Sequence, residues 1–394
     1  MGGLMLSAVY LSLLEVSLLI LSATLARSFT IKYNLPQVMG ELAIGMILSP
    51  YLIGGMINSF IGIKLFTINN DLLLFSEFAV VLLIFSTGLE SGLSALRSSG
   101  VYGALGALFG AILPFIIGGL ILSYYVKTSV AFLMGAALGA TSLAIASSLI
   151  RESSIKGKSV DFMISAGAFD DVISLIILSI VIEMSGTQAI YIGHLIERVA
   201  YYVISWLIIF VVSVIIIPRI FNRVNEKYSF ELSLVFIFGL TVIMTALGFS
   251  PIIAAYIAGV AMAESNKVDV LRKYTDGLLE LFGSIFFVTI GVETNLATLS
   301  SFGLYLTGLL TGIAILFKVI GVYPFAYLFT KRFRSSLSIS LGMIPRGELG
   351  LIIASVGLSY GILNTVEFSS IVLMSLLTSI VGAMLFKKYY HYLI

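Results

Sequence analysis

Cysteine is absent from the 394 residues, which excludes disulfides, iron–sulfur clusters and thiolate metal sites. Histidine occurs only at His194 and His391, too sparsely and too far apart for a zinc site. Charge is scarce as well. Only 11% of residues are charged, against about 25% in an ordinary soluble domain, too few to clothe a water-facing surface. Apolar residues take their place: 59% of the chain is hydrophobic and the mean hydropathy is +1.11. These figures exclude a soluble enzyme and imply an all-α polytopic membrane protein, with the lipid bilayer as its solvent. The formal net charge of +2 is spread along the chain, so nothing points to nucleic acid as a partner.

A helix needs about 20 mostly apolar residues to cross roughly 30 Å of hydrocarbon. Breaking the chain at charged residues, Pro and Gly gives thirteen candidate transmembrane spans. They are 4–26, 35–54, 72–92, 101–124, 129–151, 158–184, 194–221, 228–247, 251–264, 277–294, 303–330, 335–358 and 366–387. The spans 251–264 and 277–294 are short and are expected to extend into their flanks. The first span does not read as a cleaved signal peptide, since it lacks a basic n-region and is too long. Lys and Arg collect in cytoplasmic loops, and seventeen of the 22 here follow odd-numbered spans. Lys64, Lys127 and Arg198 follow even ones, while Lys318 and Arg346 fall inside spans. The asymmetry places the N-terminus outside and the C-terminus in the cytoplasm of a multi-pass protein of the plasma membrane.

The third and tenth spans share a pattern. Glu77, Gly88, Glu90, Leu93 and Leu96 recur as Glu280, Gly291, Glu293, Leu296 and Leu299, each displaced by 203 residues. The same displacement maps Gly139 onto Gly342, and Leu35-Pro36 to Gly45 resembles Ser250-Pro251 to Gly259 in a changed register. Two six-helix repeats, helices 1–6 and 8–13, are therefore expected, and an offset of seven helices turns one copy upside down. Inverted repeats are the architecture of many secondary transporters, in which one unit rocks against another around a midplane site.

An ionisable side chain at the bilayer centre costs about 2.5–3.5 kcal/mol by insertion measurements. Six lie away from the span ends: Glu15, Asp170, Asp171, Lys318, Arg346 and Glu348. Neighbours on a helix point about 100° apart, so Asp170 and Asp171 cannot share one environment; one can face a partner helix and the other a water-filled cavity. Lys318 is the natural partner for one of them. At the repeat displacement these charges correspond to Leu373, Met374 and Phe115, so they break the symmetry. Helix 5 carries Gly139-Ala140-Thr141-Ser142 in mid-span, and helix 12 carries Pro345-Arg346-Gly347-Glu348 at the corresponding place. Pro removes a helical hydrogen bond, and backbone freed in a membrane must find a partner or line a cavity. A pair of corresponding broken helices points to an ion site, where Arg346 and Glu348 are expected as a charge pair that offsets the half-helix ends.

With these motifs the sequence resembles a sodium/proton antiporter of the monovalent cation–proton antiporter superfamily over nearly its whole length. The specific pieces are Ala140-Thr141-Ser142, Phe169-Asp170-Asp171, the Lys318 helix and Gly342-Met343-Ile344-Pro345-Arg346-Gly347-Glu348. Leu35-Pro36-Gln37-Val38-Met39-Gly40-Glu41 and Phe85-Ser86-Thr87-Gly88-Leu89-Glu90 match as well. The resemblance implies that Asp171 carries the sodium ion or protons, with Thr141 and Ser142 in the binding set, and that Asp170 pairs with Lys318. The double aspartate is similar to the electrogenic exchangers. A homodimer is implied, with a dimerisation part near 1–60 and 190–270 and an ion-translocating core near 70–185 and 275–390. No cofactor is implied beyond the transported ions.

The physics of exchange stands beside the resemblance. Burial disfavours the charged form of a carboxylate, so a partly dehydrated one can hold a proton or a hard cation in turn. Competition for that place couples the two fluxes. Potassium/proton exchange and sodium-coupled symport of an organic anion on a similar fold are the alternatives within transport. An intramembrane aspartyl protease needs two carboxylates about 3 Å apart sharing a proton; adjacent Asp170 and Asp171 diverge, and no second-helix Asp lies at depth.

Overall fold

The apolar runs, punctuated by Gly and Pro, fold into fifteen α-helices in a computed structural model that describes residues 8–33, 36–142, 150, 155–185 and 192–393. They are α1 (Ala8–Lys32), α2 (Gln37–Leu48), α3 (Ile53–Ile61), α4 (Asn70–Arg97), α5 (Gly100–Leu122), α6 (Thr128–Gly139), α7 (Lys158–Ser185) and α8 (Ile192–Phe221). There follow α9 (Ser229–Ala246), α10 (Pro251–Ala263), α11 (Val268–Glu293), α12 (Ser301–Thr330), α13 (Phe333–Gly342), α14 (Glu348–Ser359) and α15 (Thr365–Tyr389). Nine of the described helices are long and apolar enough to cross a membrane, and ten if α2 and α3, bent by 43°, count as one span. The start of the first expected span (4–7), Leu35, the second half of the fifth (143–149) and Arg151 lie outside the described residues.

Of the two spans expected to extend, one does and one does not. Helix α11 does extend upstream of residue 277, to Val268, but α10 stays at 13 residues. Pro251 starts it at a position where a missing N–H costs nothing, just after the Gly248 turn at φ +83°. Such a short helix suffices because Ile252 to Met262 are sheathed by protein, so none of that backbone meets lipid. Helix α3 was not anticipated from sequence; it is a short surface helix with Phe60 93% exposed.

Packing sorts the helices into two units. One is a panel of α1, α2, α4, α8, α9, α10 and α11; the other is a bundle of α5, α6, α7, α12, α13, α14 and α15. The panel is held by two glycine crossings. A Cβ on Gly88 of α4 would lie 3.0 Å from the Cα of Gly259 in α10, and one on Gly291 of α11 would lie 2.8 Å from the Cα of Gly45 in α2. Membrane helices associate through such close backbone approach. The sequence reading put the third and tenth spans with the core, whereas α4 and α11 pack on the panel, because these glycines dock them on α10 and α2. Where α4 breaks at Gly92 (φ +51°), the panel closes the gap: Leu93 N donates to Glu264 at 2.7 Å and Arg272 donates to Leu89 O at 3.0 Å. Glu15 secures the approach to α4, accepting from Thr67 N at 2.7 Å and Asn69 Nδ2 at 2.6 Å.

Candidate functional site

The bundle is crossed at its middle by two interruptions. Helix α6 ends at Gly139, and Ala140 is extended at φ −63°, ψ 143°. Helices α13 and α14 are separated by Met343 to Gly347. The two non-helical stretches meet where Ser142 N donates to Pro345 O at 2.9 Å. Only glycine fits at position 347, where a Cβ would collide with the Ser142 side chain. The backbone of Arg346, within the second break, is satisfied by one face of α15. Arg346 O accepts from Ser375 at 2.6 Å and Ser379 at 2.9 Å, and Arg346 N donates to Thr378 at 3.3 Å. These three hydroxyls stand at i, i+3 and i+4 in Ser375-Leu-Leu-Thr378-Ser379, a spacing that marks one helix face and was legible in the sequence.

Beside the crossing runs α7, thinned by Ala166-Gly167-Ala168. Asp170 is wholly buried there, with Lys318 Nζ 2.7 Å from Oδ1, and Lys318 is equally buried. The same Nζ donates to Gly139 O at 2.9 Å, so the ammonium also covers a carbonyl that the end of α6 leaves free. Lys318 reaches this depth because α12 and α5 nearly touch: a Cβ on Gly110 would lie 2.8 Å from Val322 and 3.5 Å from the Lys318 methylenes. Asp171 turns the other way. It is half-buried and has no hydrogen bond or ion pair to any described residue. Asp170, Glu348, Lys318 and Glu90 are the charged groups whose fields act on it.

Arg346 departs from expectation. The guanidinium is wholly buried but is not ion-paired with Glu348; it donates to Ala314 O at 3.0 Å, Thr141 Oγ1 at 3.3 Å and Met343 O at 3.4 Å. The bend at Gly347 (φ −131°, ψ −129°) separates the two, and Glu348 becomes the first residue of α14, where a helix N-terminus favours negative charge. Thr141 thus serves Arg346, and Ser142 serves the crossing through its backbone. Sequence reasoning missed Tyr256, wholly buried on α10, whose hydroxyl donates to Ala168 O at 3.2 Å just before the aspartates. It is the only polar side chain in Pro251–Ala263, which was the available signal.

A profile of the sodium/hydrogen exchanger transmembrane family matches residues 18–388. The chain belongs to that family. Among relatives of this sodium/hydrogen exchanger, the Na(+)/H(+)-K(+) antiporter GerN of Bacillus cereus is 30% identical over 380 residues, covering 95% of each chain. The high-affinity Na(+)/H(+) antiporter NhaS3 of Synechocystis sp. is 31% identical over 325 residues, covering 78% of this chain and 69% of its own. The fold is shared with the sodium proton antiporter MjNhaP1 of Methanocaldococcus jannaschii at a TM-score of 0.74 and 16% identity, over 95% of this chain and 97% of that one.

Proposed function

We propose that this exchanger moves sodium or lithium ions against protons by alternating access, with Asp171 holding either the cation or a proton. One observation carries the reading: of two adjacent aspartates on α7, Asp170 is buried and tied to Lys318, while Asp171 is half-buried and without a partner among the described residues. The charges agree with it. Fully ionised, Asp170, Asp171, Glu348, Lys318 and Arg346 sum to one negative charge, which a single proton or monovalent cation neutralises; both together overshoot. Electrogenic exchange follows where the arriving cation also disrupts the Asp170–Lys318 pair and frees a second proton.

The glycine crossings support the inverted repeat. Each joins the second helix of one six-helix copy to the third of the other, α2 with α11 and α10 with α4, as a two-fold in the membrane plane requires. On this reading the bundle is the moving core and the panel is the scaffold through which a homodimer forms in the plasma membrane. The cation asymmetry supports an external N-terminus and a cytoplasmic C-terminus.

Potassium is the second reading for the cation, favoured by its appearance in the name of the Bacillus cereus relative. Proteoliposomes with an imposed pH gradient, challenged in turn with sodium, lithium and potassium, decide between them. Proton movement with sodium or lithium that is lost in Asp171→Asn supports the first reading. A response to potassium alone supports the second, and no cation-dependent proton movement overturns both.

A further inference from the structure

A cavity of about 540 Å³ opens between the two units, walled by α4, α10 and α11 of the panel and by α14 and α15 of the bundle. Its wall includes Glu293, Glu77, Ser76, Ser250, Ser355 and Thr365, and no Lys or Arg. Glu293, the last residue of α11, is only 8% exposed and has no hydrogen-bond or ion-pair partner among the described residues. A buried carboxylate is ordinarily paired, bound to a cation or neutralised by a proton, and the last two exchange with one another. Two helix C-termini, of α11 and α14, and two N-termini, of α10 and α15, end at the wall. Their dipoles offset, leaving the carboxylates to set the sign of the field.

We infer that Glu293 is a second cation site, a waiting position in an access vestibule, separate from Asp171 and used before it. This rests on the sodium/proton reading above. The donors suit an alkali ion: one buried carboxylate in a wall that also carries Ser and Thr hydroxyls offers hard oxygen ligands. Position fits as well. Ile352, in the cavity wall, stands four residues along α14 from Glu348, about 6 Å of helix rise from a group whose field acts on Asp171. Glu293 also corresponds to Glu90 at the repeat displacement. Glu90 is among the charged groups whose fields act on Asp171.

Two measurements on the full reconstituted chain test this. In the first, dicyclohexylcarbodiimide labelling of Glu293 is read by mass spectrometry in choline chloride and in sodium chloride. Sodium is expected to reduce the adduct at Glu293 severalfold, and to do so equally in Asp171→Asn. No protection, or protection that disappears in Asp171→Asn, overturns a separate site. In the second, Glu293→Gln is expected to raise the apparent KM for sodium about tenfold when the ion is supplied from the cavity face. The opposite face keeps its KM, and Glu293→Asp restores the affinity. Equal changes at both faces, or none, contradict the inference. Should wild-type protein move no protons with sodium, the exchange reading fails, while labelling still reports whether sodium occupies Glu293.

Discussion

The panel and the bundle are each organised around helix crossings, but they solve the crossing differently. In the panel, backbone meets backbone at Gly88 with Gly259 and at Gly45 with Gly291, and one turn from Gly45 the Glu41 carboxylate, ion-paired with Arg27, accepts from Ser284 of α11. In the bundle, Ser142 and Pro345 meet across two interruptions, and Lys318, Arg346 and the α15 hydroxyls close the open backbone. A glycine crossing is satisfied by close packing and has one good geometry. A polar crossing depends on charge balance, so its stability changes when an ion or proton arrives. On the proposed function, the close-packed crossings hold the panel together and the polar crossing in the bundle is the one that responds to the ion at Asp171.

The largest effect is expected from Asp171→Asn, which removes the carboxylate beside the Asp170–Lys318 pair that has no partner of its own among the described residues. Exchange in proteoliposomes falls to background while the melting temperature stays near that of the wild type. Retained sodium-driven proton release refutes the assignment. Lys318→Gln comes next, because it leaves Asp170 buried without its cation; breaking such a pair costs about 3–5 kcal/mol. Thermal unfolding in detergent reads that loss, and an unchanged melting temperature with an unchanged reversal potential counts against the pairing.

The panel gives a smaller effect of another kind. Gly259→Ala pushes a methyl against the α4 backbone, and overpacking of this sort costs about 1–3 kcal/mol. The yield of folded protein drops, but sodium affinity per folded molecule holds. A shift in cation preference would place ion sensitivity in the panel and break the contrast. Ser375→Ala removes one hydroxyl from Arg346 O, worth about 1 kcal/mol. A slight fall in melting temperature with exchange intact is expected, because Ser379 still donates to the same carbonyl.

Much of this was legible in the sequence. Each of the thirteen expected spans contains a helix, because long apolar runs are a one-dimensional signal. Asp170, Asp171, Lys318 and Arg346 stood out because charge at depth is costly whatever surrounds it. Partner choice was harder to read. Inside a membrane every helix is apolar, so hydropathy does not say which neighbour α4 or α11 prefers; glycines in register do, and Gly88 and Gly291 were noticed only as a repeat. Arg346 and Glu348 are expected as a charge pair at the broken helices, yet the bend at Gly347 parts them and the guanidinium donates instead to Ala314 O, Met343 O and Thr141. Tyr256 went unmarked because its role is a contact between units that no spacing encodes.

Titration calorimetry of sodium into purified protein, repeated in two buffers of different ionisation enthalpy, addresses the central claim most directly. The account predicts that sodium binding expels protons to the buffer, and that Asp171→Asn removes the share of the binding heat and proton release that belongs to Asp171 while any share from Glu293 remains. Sodium binding at Asp171 with no buffer-dependent heat would contradict it.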